Sequence, residues 1–170
     1  MSLVGFAKVQ SAGDYTIKQA ILDSLDLVQY QFAKDIQNVV IKPNMCYYWD
    51  YTTGQTTDPK FVAALIDVIR ARVSSDVNIS IVESDASAMK CKYAFKMLGY
   101  EKMARRCGVA LINLSEDKSE VIESVIGGQS FRFTLPRTIQ NADLRVNVPK
   151  IKYMGGTKIT CALKNIYGCN

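Results

Sequence analysis

The feature that most constrains the fold is a short unbroken apolar run, Val39-Val40-Ile41, that stops at Lys42-Pro43-Asn44. It is too short for a helix and apolar at successive positions. That is the pattern of a strand buried on both faces of a parallel sheet. Residues 77–83, with Ile79, Ile81 and Val82 apolar, and residues 109–114 repeat it. Residues 4–9 and 144–148 also read as strands.

Helical spacing fills the intervals. Ile17, Ile21, Leu25 and Val28 recur at helical period within residues 15–28. Asp58-Pro59 opens the clearest helix, with Asp58 as N-cap and Pro59 at the first position, where its missing N–H costs nothing. Phe61, Leu65, Val68, Ile69 and Val73 form its apolar stripe. Residues 93–107 read as a helix broken near Gly99, with Gly108 as its C′ residue. Residues 136–141 predict a short helix and residues 157–167 a final one.

Strands alternating with helices predict an α/β fold: a mostly parallel, Rossmann-like sheet with helices on both faces, in one domain spanning residues 1–170. Residues 121–126 and 129–135 flank Gly127-Gly128 and predict a β-hairpin with a primed turn, peripheral to that sheet.

In open α/β sheets, ligands bind beyond the carboxyl ends of the strands. The residues placed there are Lys42-Pro43-Asn44, Glu83-Ser84-Asp85, Ser115-Glu116-Asp117 and Pro149-Lys150-Ile151-Lys152. Lys42 ends a run buried on both faces, and a lysine is rarely buried alone. Its partner is either a bound anion or a carboxylate across the rim, with Glu83 the natural choice. Such a pair is structural or a tuned proton-transfer pair. Residues 150–160 read as a strand end, a Gly155-Gly156 turn and a helix start, which favours an anion through backbone N–H groups and helix dipole. The GxxxxGK[ST] and GxGxxG spacings are absent.

Composition narrows the chemistry. The chain of 170 residues is 48% apolar and 22% charged, which fits a globular protein and excludes collagen, coiled coil and disorder. No run approaches the roughly 20 apolar residues of a membrane span, and residues 1–10 lack the features of a signal peptide. There is no histidine, so Ser-His-Asp, Cys-His and His-based metal sites cannot be built. Any acid–base step must use Lys, Asp, Glu, Tyr or Cys.

Five cysteines without CxxC spacing predict free thiols, a cytoplasmic location and no metal site. Residues 1–85 carry 7 bases against 10 acids, and residues 86–170 carry 14 against 6. No acid follows Asp143, while Arg145, Lys150, Lys152, Lys158 and Lys164 do. That end suits an anionic partner or is a solvated basic face. Tyr47, Tyr48, Trp49 and Tyr51 lie far in sequence from these bases, and no nucleic-acid motif is present. Their loop reads as a lid or as a subunit or domain contact.

Several blocks together resemble one bacterial and archaeal family. They are Ile41-Lys42-Pro43-Asn44, Thr57-Asp58-Pro59, Ile81-Val82-Glu83-Ser84, Asn141-Ala142-Asp143, Asn147-Val148-Pro149-Lys150-Ile151-Lys152 and Thr160-Cys161-Ala162-Leu163-Lys164-Asn165-Ile166-Tyr167-Gly168. The family is the one called domain of unknown function 362, and the resemblance spans residues 4–168. It implies a cytoplasmic α/β domain without an established activity. Some members are joined to ferredoxin-type iron–sulfur modules, which implies a redox context, but the cysteine spacing here supplies no such module. The family often has Lys-Thr-His where this chain has Lys152-Tyr153-Met154, so any role of that His is missing. The family normally continues beyond the point matching Asn170, which reads as a truncated or a short member.

Two functional readings follow. In the first, the protein binds a small anion, a carboxylate or phosphate, and acts as an enzyme on it. Lys42, Lys150, Lys152 and Lys164 hold the anion, Thr160 lines its site, and Asn44 and Asn165 orient it by hydrogen bonds. Glu83 is the base or the partner of Lys42. In the second, a non-catalytic redox-partner or assembly domain docks an acidic or iron–sulfur protein through its basic end. Neither reading involves nucleic acid or a membrane, and neither names a cofactor.

Overall fold

The computed structural model describes residues 2–9, 14–156 and 158–169. Helix α1 (Asp14–Leu27) leads to β1 (Asn38–Pro43), α2 (Pro59–Arg72) and β2 (Asn78–Glu83). Helices α3 (Cys91–Met97) and α4 (Tyr100–Cys107), parted by Gly99 at φ +80°, lead to β3 (Ala110–Asn113). The hairpin β4 (Ser119–Ile126) and β5 (Gln129–Pro136), then α5 (Arg137–Gln140), precede β6 (Leu144–Val148). A second hairpin, β7 (Lys152–Met154) and β8 (Lys158–Thr160), and α6 (Ala162–Ile166) complete the order.

Strands β3, β2, β1 and β6 form one parallel sheet in that order. The chain moves from β1 outward to β2 and β3, then returns to the other side of β1 as β6. The strand order therefore reverses at β1, and the crevice beyond β1 and β6 is the topological switch point where such sheets hold ligands. Register aligns Lys42 with Asn147 and Pro43 with Val148, so the strand-end residues reach one rim together.

Alternation along β1 divides its contacts. Val39 and Ile41 join the large core with α2, whose Val62, Ile66, Val68 and Ile69 are buried, while Val40 joins Val82, Leu114, Ala142 and Cys169 on the other face. Burying each such aliphatic side chain contributes roughly 1.5–3 kcal/mol. Helix α2 starts as its sequence predicts, with the Lys60 N–H donating to Asp58 Oδ1 at 2.8 Å. The β4–β5 hairpin forms its own two-stranded sheet about Gly127-Gly128, both at positive φ, as a primed turn requires.

Three expectations are overturned. Residues 109–114 do not repeat the two-sided burial of β1: β3 stands at the sheet edge, with Ala110 exposed and Leu111, Ile112 and Asn113 half-buried. Residues 4–9 form no strand, and Leu3, Val4 and Phe6 are 67%, 88% and 85% exposed. Both sides of β1 are already taken by β2 and β6, and this segment instead runs beside α1, where a Cβ on Gly5 would strike the Ser24 carbonyl. The final helix does not begin at 157. Thr157 itself lies outside the described residues, and residues 158–160 form β8, pairing antiparallel with β7. Ile159 and Thr160 are β-branched and favour a strand, so the helix shrinks to the five residues of α6.

Candidate functional site

Lys42 and Glu83 lie near the ends of adjacent parallel strands. Lys42 Nζ stands 2.6 Å from Glu83 Oε1, with the side chains only 6% and 7% exposed. Lys42 Nζ also donates to the Pro43 carbonyl at 3.1 Å. The Ser84 N–H donates to Glu83 Oε1 at 3.0 Å, and the Met45 N–H to Oε2 at 3.3 Å. Buried charges are tolerated when paired and hydrogen-bonded in this way. The carboxylate foreseen as partner of Lys42 is the one the fold supplies.

The C-terminal segment lies over this pair. Asn165 is buried and its Nδ2 donates to the carbonyls of Lys42 (3.2 Å) and Pro43 (3.3 Å) and to Asn147 Oδ1 (2.8 Å). Ser84 Oγ donates to the Gly168 carbonyl at 2.6 Å. A Cβ on Gly168 would lie 3.6 Å from Glu83 Oε1 and 3.7 Å from Lys42 Cε, so the chain passes close above the ion pair. Asn165 therefore works as a clamp on the backbone of β1 and β6.

A cleft of about 390 Å³ opens beside the pair. Its walls include Lys42, Asn44, Glu83, Lys152, Thr160, Lys164 and Asn165. Seven of the eight residues singled out in the sequence thus meet at one site. Lys150 lines no part of it. Residues 152–154 and 158–160 pair as a hairpin, so this stretch offers no helix N-terminus to an anion. The lysines nevertheless converge: Lys152 Nζ donates to the Gln55 carbonyl at 2.7 Å and is half-buried. Burial holds its ammonium pKa below the usual lysine value; Cys46 opposes this, while the positive charges of Lys164 and Lys150 add to it.

The acidic wall is already neutralised. Asp85 accepts from Lys90 Nζ at 2.8 Å, from the Cys91 N–H at 2.9 Å and from Asn113 Nδ2 at 3.3 Å. These contacts, the Lys90 hydrogen bond first, hold the Asp85 carboxyl below the usual carboxylate range. Among the described residues, Lys152 and Lys164 form no ion pair. Two cations on the cleft wall are thus without an acidic partner among the described residues.

Sequence reasoning missed Thr57. Its buried hydroxyl donates to the Val148 carbonyl at 2.9 Å and accepts from the Asn44 N–H at 3.0 Å, while Tyr100 donates to its carbonyl at 2.8 Å. Its place directly before the Asp58 cap was the available clue. Thr57 lies behind the cleft rather than on its wall; Met45, Met89 and Tyr167, which do line it, gave no local signal. All five cysteines are free thiols. Burial, with help from Glu83 and Asp85, pushes the Cys91 thiol up to about 12. Among the described residues, no three His, Cys, Asp or Glu side chains gather as a metal site, and no helix is long and apolar enough to cross a membrane.

A parallel sheet whose order reverses at β1, with a lysine-lined cleft at the carboxyl ends of β1 and β2, defines an α/β domain of the kind that carries its site on the strand ends. The chain belongs to the family described as Domain of unknown function (DUF362), whose model matches residues 39–170, from β1 through the C-terminal segment over the cleft. No curated protein and no solved structure matches it.

Proposed function

We propose that this domain binds a small anion in the strand-end cleft. One observation carries the reading: the cleft's carboxylates, Glu83 and Asp85, are each held by another lysine, while Lys152 and Lys164 are left without an acidic partner among the described residues. Charges of one sign lining a low-dielectric cleft concentrate the opposite ion. Asn44 and Thr160 add polar groups to the wall. If the bound anion undergoes proton transfer, the Lys42–Glu83 pair on the cleft wall is the group placed to exchange the proton. The test is thermal denaturation with phosphate, sulfate and small carboxylates. A concentration-dependent rise in Tm that weakens in Lys152→Met is expected, because a ligand bound only to the native state stabilises it by mass action. A Tm that no anion moves overturns the reading.

A second reading, docking of an acidic protein on the basic end, draws on a separate observation. Ile151, Tyr153, Ile159, Leu163 and Tyr167 are all exposed near Lys150, Lys158 and Lys164. Exposed apolar groups rimmed by charge mark interaction surfaces. Salt-sensitive binding of an acidic ferredoxin, lost in Tyr153→Ser, would favour it over the first.

A further inference from the structure

We infer that the anion is an organic phosphate monoester, with a dianionic head on Lys152 and Lys164 and an apolar body lying toward Met45, Met89 and Tyr47. This rests on the anion-binding reading above and names its ligand class.

The charge of the head follows from the count at the rim. Lys42 is matched by Glu83 and Lys90 by Asp85, so Lys152 and Lys164 face the cleft without an acidic partner among the described residues. A monocarboxylate would leave one of them uncompensated beside a half-buried lysine. A dianion matches both. It would also relieve the repulsion between Lys152 and Lys164, which already disfavours the charged form of Lys152. The acidic wall stands on the β2 side and the basic wall on the C-terminal side, so the head is drawn toward β7 and α6.

The body follows from a second cavity of about 190 Å³ that adjoins the first. Met45, Ala86, Met89 and Lys164 line both. The second cavity continues to Cys46, Tyr47, Ser87 and Ala88, and Lys164 is the one charged residue lining it among those described. A ligand held at Lys164 by its head therefore meets an apolar surface on one side. Methionines suit an irregular body, because their unbranched, polarizable side chains adapt to it. A bare phosphate would use one corner of this space and leave the methionine wall untouched.

The experiment is calorimetric titration of the full chain at low salt with inorganic phosphate, 1-naphthyl phosphate and 1-naphthoate. Naphthyl phosphate is expected to bind roughly tenfold or more tighter than either of the others, a difference such titrations resolve readily. Lys164→Met, at an exposed position that leaves the core intact, should weaken both phosphates roughly tenfold, and Lys164→Arg should restore most of that. Tyr47→Ser should shrink the advantage of naphthyl phosphate over phosphate. If naphthyl phosphate binds no tighter than phosphate, the apolar body is refuted while the anion site stands. If naphthoate equals naphthyl phosphate, the dianionic head is refuted. If none of the three binds, the anion-binding reading falls, and this inference with it.

Discussion

Replacing Glu83 by Gln leaves the Lys42 ammonium buried with the Pro43 carbonyl as its charge-stabilising contact, since the carboxylate 2.6 Å away is gone. Removing one partner of a buried pair costs about 3–5 kcal/mol, more than the pair itself contributes. Urea unfolding should therefore show Glu83→Gln and Lys42→Met each strongly destabilised, and the double variant losing clearly less than the sum of the two. Additive losses would mean the two side chains do not act as a pair. Cys91 offers a pH test at the same scale. Its folded thiol titrates at about 12 against an ordinary value of 9.0, so the native state holds a proton that the unfolded chain releases. Stability must then fall as pH rises from 9.0 toward 12. Cys91→Ala, which carries no titrating proton, should lose less Tm than wild type between about pH 8 and about pH 10.5. At neutral pH, iodoacetamide should label Cys46, Cys107 and Cys161, which are half-exposed, well before Cys91 and Cys169, which are buried.

At the scale of elements, the start of α2 depends on Asp58. Asp58→Ala removes the acceptor for the Lys60 N–H and should cost about 1 kcal/mol by urea unfolding, with Asp58→Asn restoring most of it. No change would show that Pro59 alone sets the helix start. This helix was legible because its capping chemistry and its apolar period are local. The strands β1 and β2 were legible for a similar reason, since burial on both faces writes a mostly apolar run. Residues 4–9 and 158–160 were not. Whether residues 4–9 become a strand depends on a free edge beside β1, which β2 and β6 occupy, and no local pattern records that. Residues 158–160 are three residues long, too few for a period to separate strand from helix. The candidate site followed the same division. Lys42, Glu83 and Lys152 were legible from the rule that ligands gather at strand ends, whereas the second cavity behind Met45 and Met89 arises from side chains packed together only in the fold.

Over the whole molecule, the site depends on a tie between distant parts of the chain. Asn165 reaches the carbonyls of Lys42 and Pro43 and the side chain of Asn147, and Ser84 holds Gly168, so the C-terminal segment spans the ends of β6, β1 and β2 and passes over the ion pair. Each of these bonds closes a long loop, and their loss should act on the rim more than on the core beneath α2. Asn165→Ala should cost about 1–3 kcal/mol, since it removes the buried donor shared by the Lys42 and Pro43 carbonyls and Asn147 Oδ1. It should also weaken phosphate binding, because Lys164 adjoins the clamp. The distinguishing measurement is amide hydrogen exchange. Protection should fall at Met45 and Ser84, whose N–H groups donate to Glu83, and stay unchanged in the buried turns of α2. A uniform loss across both regions would mean that Asn165 supports global folding rather than the closure of the cleft.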